Sequence, residues 1–101
     1  MLYNDGMTPK ELQRLLKAVA NHRRIVILRH LQKEGEATVG DVARAVKLSF
    51  RATSRHLLTL AAVGIIESEQ RSKEVYYRIV RNLSGTLQKA AVLALSAHSI
   101  E

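Results

Sequence analysis

Asp41-Val42-Ala43-Arg44-Ala45-Val46-Lys47-Leu48-Ser49-Phe50-Arg51-Ala52-Thr53-Ser54-Arg55-His56-Leu57 reads as two short helices joined by a tight turn. Thr38, just upstream, can cap the first of them, whose inner side carries Val42, Ala43 and Val46, and Ser49 can cap the second after Lys47-Leu48. Two short helices so closely joined predict a helix-turn-helix. In the second, Thr53, Leu57, Leu60 and Gly64 share one stripe, which leaves Arg51, Ser54 and Arg55 on or beside the opposite surface. The inner stripe can fold while the outer one is free to bind.

Charge sharpens that division. No acidic residue occurs between Asp41 and Glu67, whereas Arg44, Lys47, Arg51 and Arg55 all fall there. Basic side chains at the start of such a helix can meet phosphates, Arg can form bidentate hydrogen bonds to guanine, and the helix amide end favours an anion. Charges of this kind also simply solvate an exposed helix; what weighs toward binding is their combination with the helix-turn-helix order. Ser49 is expected to cap its helix and touch phosphate, and Arg51, Ser54 and Arg55 to read the major groove. His56 lies three residues after Thr53, close to the inner stripe, and is expected to be a partly buried structural residue.

Upstream, Thr8-Pro9-Lys10-Glu11 has the form of a helix start, with a capping Thr, Pro at the first helical position and Glu three residues after the cap. Leu12, Leu15, Leu16 and Val19 then recur at helical spacing to about Ala20. Asn21 can cap a second helix, apolar on most sides through Ile25-Val26-Ile27-Leu28 and Leu31, that ends at Gly35. Downstream, Ile65-Ile66 opens a strand, Glu69 to Lys73 reads as a polar tip, and Val75, Tyr77 and Ile79 alternate with Tyr76 and Arg78 in a second strand. Arg71 and Lys73 at that tip are expected to hold flanking DNA backbone. A hairpin after a helix-turn-helix is a winged helix, so the expected fold class is mainly α with a small β-hairpin.

From Leu83 the chain turns helical again, with Leu87, Ala90, Ala94 and Ala97 on one stripe that Ala91 and Leu95 broaden. That face is too apolar for a lone surface helix, which predicts a contact with another subunit. Leu87, Ala91 and Leu95, with Leu12 and Leu16 of the first helix, are the expected dimer seam. Residues 8–98 are expected to form the winged, dimerising domain, after a flexible start at 1–7 and before a short end at 99–101.

Composition bounds the chemistry. The 101 residues, 47% apolar, suffice for one modest core. Sixteen Lys and Arg against nine Asp and Glu leave +7, a field that attracts polyanions. The absence of cysteine removes disulfides, thiolate metal sites and thiol chemistry. Only four aromatic residues occur, Tyr3, Phe50, Tyr76 and Tyr77, too few for a sheet that stacks single-stranded bases, so duplex DNA is the expected partner. No charged-then-apolar leader opens the chain, and its longest apolar run, Ala90 to Leu95, is far short of the roughly 18 residues a membrane span needs. A soluble, cytoplasmic protein is expected. Carboxylates are scattered singly, no glycine-rich phosphate loop is visible, and Ser54 and His56 point about 200° apart on their helix, so no catalytic pair is expected.

Asp41 to Ser49, followed by Ser54-Arg55-His56-Leu57, Ala62-Val63-Gly64-Ile65-Ile66 and Tyr76-Tyr77-Arg78-Ile79, resembles the ArsR/SmtB family of transcriptional regulators over roughly residues 10 to 80. The resemblance implies a homodimer joined through the first and last helices, with two recognition helices in successive major grooves of an inverted-repeat operator, usually as a repressor. It places Ser49, Arg51, Ser54 and Arg55 at DNA-facing positions. Lys47 stands where many helix-turn-helix units have glycine, at a cost of about 1 kcal/mol if the turn is left-handed. The wing tip, Arg71-Ser72-Lys73-Glu74, also lacks the common glycine.

The family's usual sensing sites are not reproduced. Thr38-Val39-Gly40-Asp41 stands where many members carry a cysteine-valine-cysteine-aspartate motif. His98 and Glu101 keep the spacing of the late half of a zinc site in the last helix, but Gly85 and Leu87 occupy its early half, and a closed zinc shell needs four ligands. No metal and no cofactor are expected; any trigger would be a small molecule, a protein or the abundance of the regulator itself. The alternative is a winged helix used as an architectural or protein-interaction module that binds DNA without sequence preference.

Overall fold

The computed structural model describes residues 6–97. The residues outside it include Tyr3, His98 and Glu101, most of the expected flexible start and the C-terminal end. Helix α1 (Pro9–Val19) begins with the capping box that the sequence predicts: the Glu11 N–H donates to Thr8 Oγ1 at 3.2 Å and the Thr8 N–H to Glu11 Oε1 at 2.8 Å. Helix α2 (His22–Glu34) begins under Asn21, whose Oδ1 accepts from the Arg24 N–H at 3.1 Å, and stops where Gly35 takes φ 85°. Strand β1 (Ala37–Thr38) leads directly into α3 (Val39–Val46), and Thr38 also caps α3 by accepting from the Asp41 N–H at 3.1 Å. Helix α4 (Phe50–Ala62) is capped by Ser49 Oγ on the Ala52 N–H at 3.0 Å. Strands β2 (Ile66–Arg71) and β3 (Glu74–Ile79) and helix α5 (Gly85–Leu95) complete the order.

Three features differ from the sequence reading. First, the wing is not a hairpin alone, because β1 pairs antiparallel with β3, Ala37 opposite Tyr77 and Thr38 opposite Tyr76, in a sheet ordered β1-β3-β2. Two residues show no alternation, so β1 has no sequence signature; it exists because β3 offers it an open edge. Second, β2 runs on to Arg71, and the turn is only Ser72-Lys73. Ser72 has φ 58°, at the first turn position, where tight hairpins need a positive value and favour glycine. The turn before α4 is strained in the same way, since Lys47 caps α3 at φ 59°, ψ 48°.

The third difference concerns α5. Ala90, Ala91 and Ala94 are buried in the protomer's own core, where small side chains let α5 lie close against α1 and α2. Leu87 and Leu95 are half-buried against the same core. Arg29 of α2 fixes the end of the helix by donating from Nη1 to the Leu95 carbonyl at 3.2 Å and to the Ala97 carbonyl. Ala91 therefore cannot belong to an exposed dimer seam, and the apolar side chains that α5 leaves in solvent are Val92 and Leu93.

The helix-turn-helix is seated by Val42, Leu57, Leu60 and Ile65, all inaccessible to solvent. Thr53 is equally buried on α4, and its Oγ1 has no hydrogen-bond partner among the described residues. Burial of an unpaired hydroxyl is costly, so Thr53→Val is expected to stabilise the fold by about 1 kcal/mol. Urea unfolding should show a higher midpoint at an unchanged slope; a lower midpoint would mean that the hydroxyl is paired in solution.

Candidate nucleic-acid interface

Seating the apolar stripe of α4 in the core forces its other side outward. Arg51 and Arg55, one turn apart, are exposed, and their guanidiniums have no carboxylate or hydrogen-bond partner among the described residues. Ser54 is half-buried beside them, and Ser49 sits exposed at the helix start with its hydroxyl on the Ala52 amide. The structure thus brings these four residues, as expected, onto one end and one face of one helix. Arg44 is exposed on α3 but is tied to Asp41. The Asp41 carboxyl is held below its ordinary pKa, chiefly by the Thr38 hydroxyl and also by Arg44.

Helix α4 is positioned by more than its apolar stripe. Arg24 donates from Nε to the Ala18 carbonyl at 2.6 Å, from Nη2 to the Lys17 carbonyl at 3.3 Å, and contacts His56 Nδ1 through Nη1 at 3.2 Å. An Arg can only donate, so His56 accepts with a deprotonated Nδ1, which ties the end of α1 to the middle of α4. The expectation of a structural His56 fits this contact. Burial lowers the pKa of His56 below 6.5, and the positive charges of Arg24, Arg23 and Arg55 lower it further. The unfolded chain therefore takes up this proton first as pH falls: the contribution of the neutral ring is complete above about 6.5 and is lost as pH drops through the lower folded value. Unfolding free energy measured from about pH 8 to 5 should decline over this range, and less steeply in His56→Gln, whose carbonyl oxygen can still accept from Arg24. Equal slopes in the two proteins would exclude His56 as the source.

The wing has a different electrostatic character. On β2, Glu67, Glu69 and Arg71 share a face by strand alternation. Arg71 makes a bidentate pair with Glu36, at 2.6 and 2.7 Å, bonds Glu69 at 3.0 Å, and lies 4.5 Å from the centroid of the Tyr76 ring. Arg78 reaches Glu67 at 2.9 Å and Glu69 at 3.0 Å. Arg71 holds the carboxyls of Glu36 and Glu69 below the ordinary range, and Arg78 acts on Glu69 in the same direction; both guanidinium pKa values are raised in return. Arg71 thus stands at the end of β2, next to the tip as the sequence puts it, but its guanidinium is turned to carboxylates rather than left free for a phosphate. Lys73 remains at the tip, exposed and without a partner among the described residues.

The sequence reading missed Phe50 and Leu58, which are 63% and 59% exposed on α4. Leu58 was detectable, because it lies outside the Thr53-Leu57-Leu60 stripe. Phe50 was not, since helical spacing puts it near the stripe's edge and only the position of the first turn beyond the core exposes it. Among the described residues no group of three or more His, Cys, Asp and Glu could hold a metal ion. Nor is any helix there long and apolar enough to cross a membrane.

The chain matches a family model described as HVO_A0114 over residues 19–81. It is 37% identical over 78 residues to the transcriptional activator HlyU of Vibrio cholerae, spanning 77% of this chain and 68% of that protein. A cadmium resistance transcriptional regulatory protein CadC homolog from Staphylococcus aureus is 34% identical over 71 residues, which span 70% of this chain and 59% of that one. Among solved structures, the homodimeric winged helix-turn-helix DNA-binding domain of a possible ArsR-family transcriptional regulator from Mycobacterium bovis superposes with a TM-score of 0.69 at 28% identity, covering 88% of this chain and 82% of that one.

Proposed function

We propose, for a chain that belongs to the ArsR/SmtB family of winged-helix transcriptional regulators, that it acts as a homodimeric repressor on an inverted-repeat operator. The observation that carries this reading is the outer face of α4, where Arg51 and Arg55 stand unpaired beside Ser49 and Ser54 in a chain of net charge +7. In this reading Arg51, Ser54 and Arg55 contact base edges, and Ser49 and the amide end of α4 meet phosphate. Lys73 holds the flanking backbone, and Arg71 stiffens the wing through Glu36 and Glu69 in place of a phosphate contact.

The dimer contact is assigned to Leu12 and Leu16 of α1, 37% and 46% exposed, with Val92 and Leu93 of α5, 58% and 71% exposed. Helices α1 and α5 pack on each other within the protomer, and in this reading their exposed apolar side chains meet the partner subunit. Pairing two such surfaces would present two α4 helices to half-sites about 34–36 Å apart, one turn of the duplex. The place of action is the cytoplasm, where the operator lies. Metal-thiolate sensing has no place in this mechanism, because the chain contains no cysteine.

Selection of bound duplexes from a random pool, followed by titration of the winning sequence against salt, tests the proposal. An inverted repeat whose half-sites fall on one face of the duplex is expected. Salt-sensitive binding with no shared sequence would instead identify an architectural module.

A further inference from the structure

The face of α4 assigned to DNA is only partly cationic. Leu58 follows Arg55 by three residues and Arg51 by seven, so it stands on their stripe, and Phe50, Ser54 and Leu58 form a neighbouring row at intervals of four. Neither Phe50 nor Leu58 packs into the core. Isolated exposed apolar residues are ordinary. Here, two large ones flank the two unpaired guanidiniums, on a segment with no carboxylate from Phe50 to Ile66. Charge complementarity makes the occupant of this face a polyanion. A polyanion that also offers apolar groups to a helix is the major groove of duplex DNA, where each thymine projects a C5-methyl.

We infer that Phe50 and Leu58 are specificity-determining residues that read thymine methyl groups while Arg51 and Arg55 hydrogen-bond to bases beside or between them. This rests on the regulator reading above and specifies what its operator must contain. Eight residues of helix advance about 12 Å, which along the major groove spans about 2–3 base steps. Each half-site should therefore hold two thymines about 2–3 base pairs apart, with the arginine-facing bases beside or between them.

Replacing thymine by deoxyuridine removes the methyl and leaves every hydrogen-bonding group in place. In the selected duplex, each half-site thymine is replaced singly and affinity is measured for the wild type, Phe50→Ala and Leu58→Ala. Wild-type affinity should fall about three- to fivefold at two positions spaced as above, the worth of one buried methyl. Phe50→Ala should bind both forms equally at one of them, and Leu58→Ala at the other. The inference is overturned, with the regulator reading intact, if the wild type binds uracil and thymine duplexes equally at every position. It is equally overturned if both variants keep the full discrimination. Failure to select any shared sequence would defeat the regulator reading itself, and this inference with it. The wild-type comparison needs no variant to fold.

Discussion

Leu93→Glu is expected to yield a folded monomer whose operator affinity is lower by about 10²- to 10⁴-fold, because the second half-site contact ceases to be intramolecular. Leu93 is the most exposed large apolar side chain among the described residues, at 71%, so a carboxylate there is fully solvated in the separate protomer. In the dimer the same carboxylate would be buried without a partner, which opposes association by several kcal/mol. Leu87→Glu and Leu95→Glu, the substitutions that the helical pattern alone suggests, are poorer probes: both side chains are half-buried against their own core, so a charge there destabilises the protomer as well as opposing association. Sedimentation velocity gives the assembly state and thermal melting the fold. A Leu93→Glu protein that stays dimeric would move the interface elsewhere, and a wild type already monomeric at micromolar concentration would remove the two-half-site mechanism.

Arg55→Ala should weaken operator binding by about 10- to 100-fold and relax specificity at one base pair of each half-site, as loss of a bidentate base contact does. The guanidinium is exposed and unpaired in the free protein, so no internal contact is lost and the fold should melt unchanged. Lys73→Ala is the control, since loss of a phosphate contact should weaken all sequences alike and flatten the salt dependence by about one unit. Repeating the duplex selection with each variant separates the two effects. If Arg55→Ala weakens every sequence equally, Arg55 is a backbone contact and base reading falls to its neighbours on α4.

Thr8, Asn21, Thr38 and Ser49 each stood just before an apolar period, and each accepts the cap hydrogen bond read from it, because capping is settled within one helical turn. The stripe of Thr53, Leu57 and Leu60 was equally readable, and with it the outward placement of Arg51 and Arg55. The pairing of Arg71 was not legible because its partner Glu36 is thirty-five residues away in sequence, and the approach of β1 to β3 brings the two together. On α5 the alanine stripe was seen correctly as apolar, but spacing cannot say whether such a stripe meets the protomer's own core or another molecule.

The order of elements, the caps, the cationic outer face of α4 and the absence of thiol chemistry followed from the sequence by itself, since each depends on residue types within a few positions of one another. The third strand, the carboxylate clamp on Arg71, the seat of His56 on Arg24, the inward turn of Ala91 and the exposure of Phe50, Val92 and Leu93 were decided only by tertiary structure. Each of these depends on which distant segment comes to lie alongside, and that is set by the packing of the whole core.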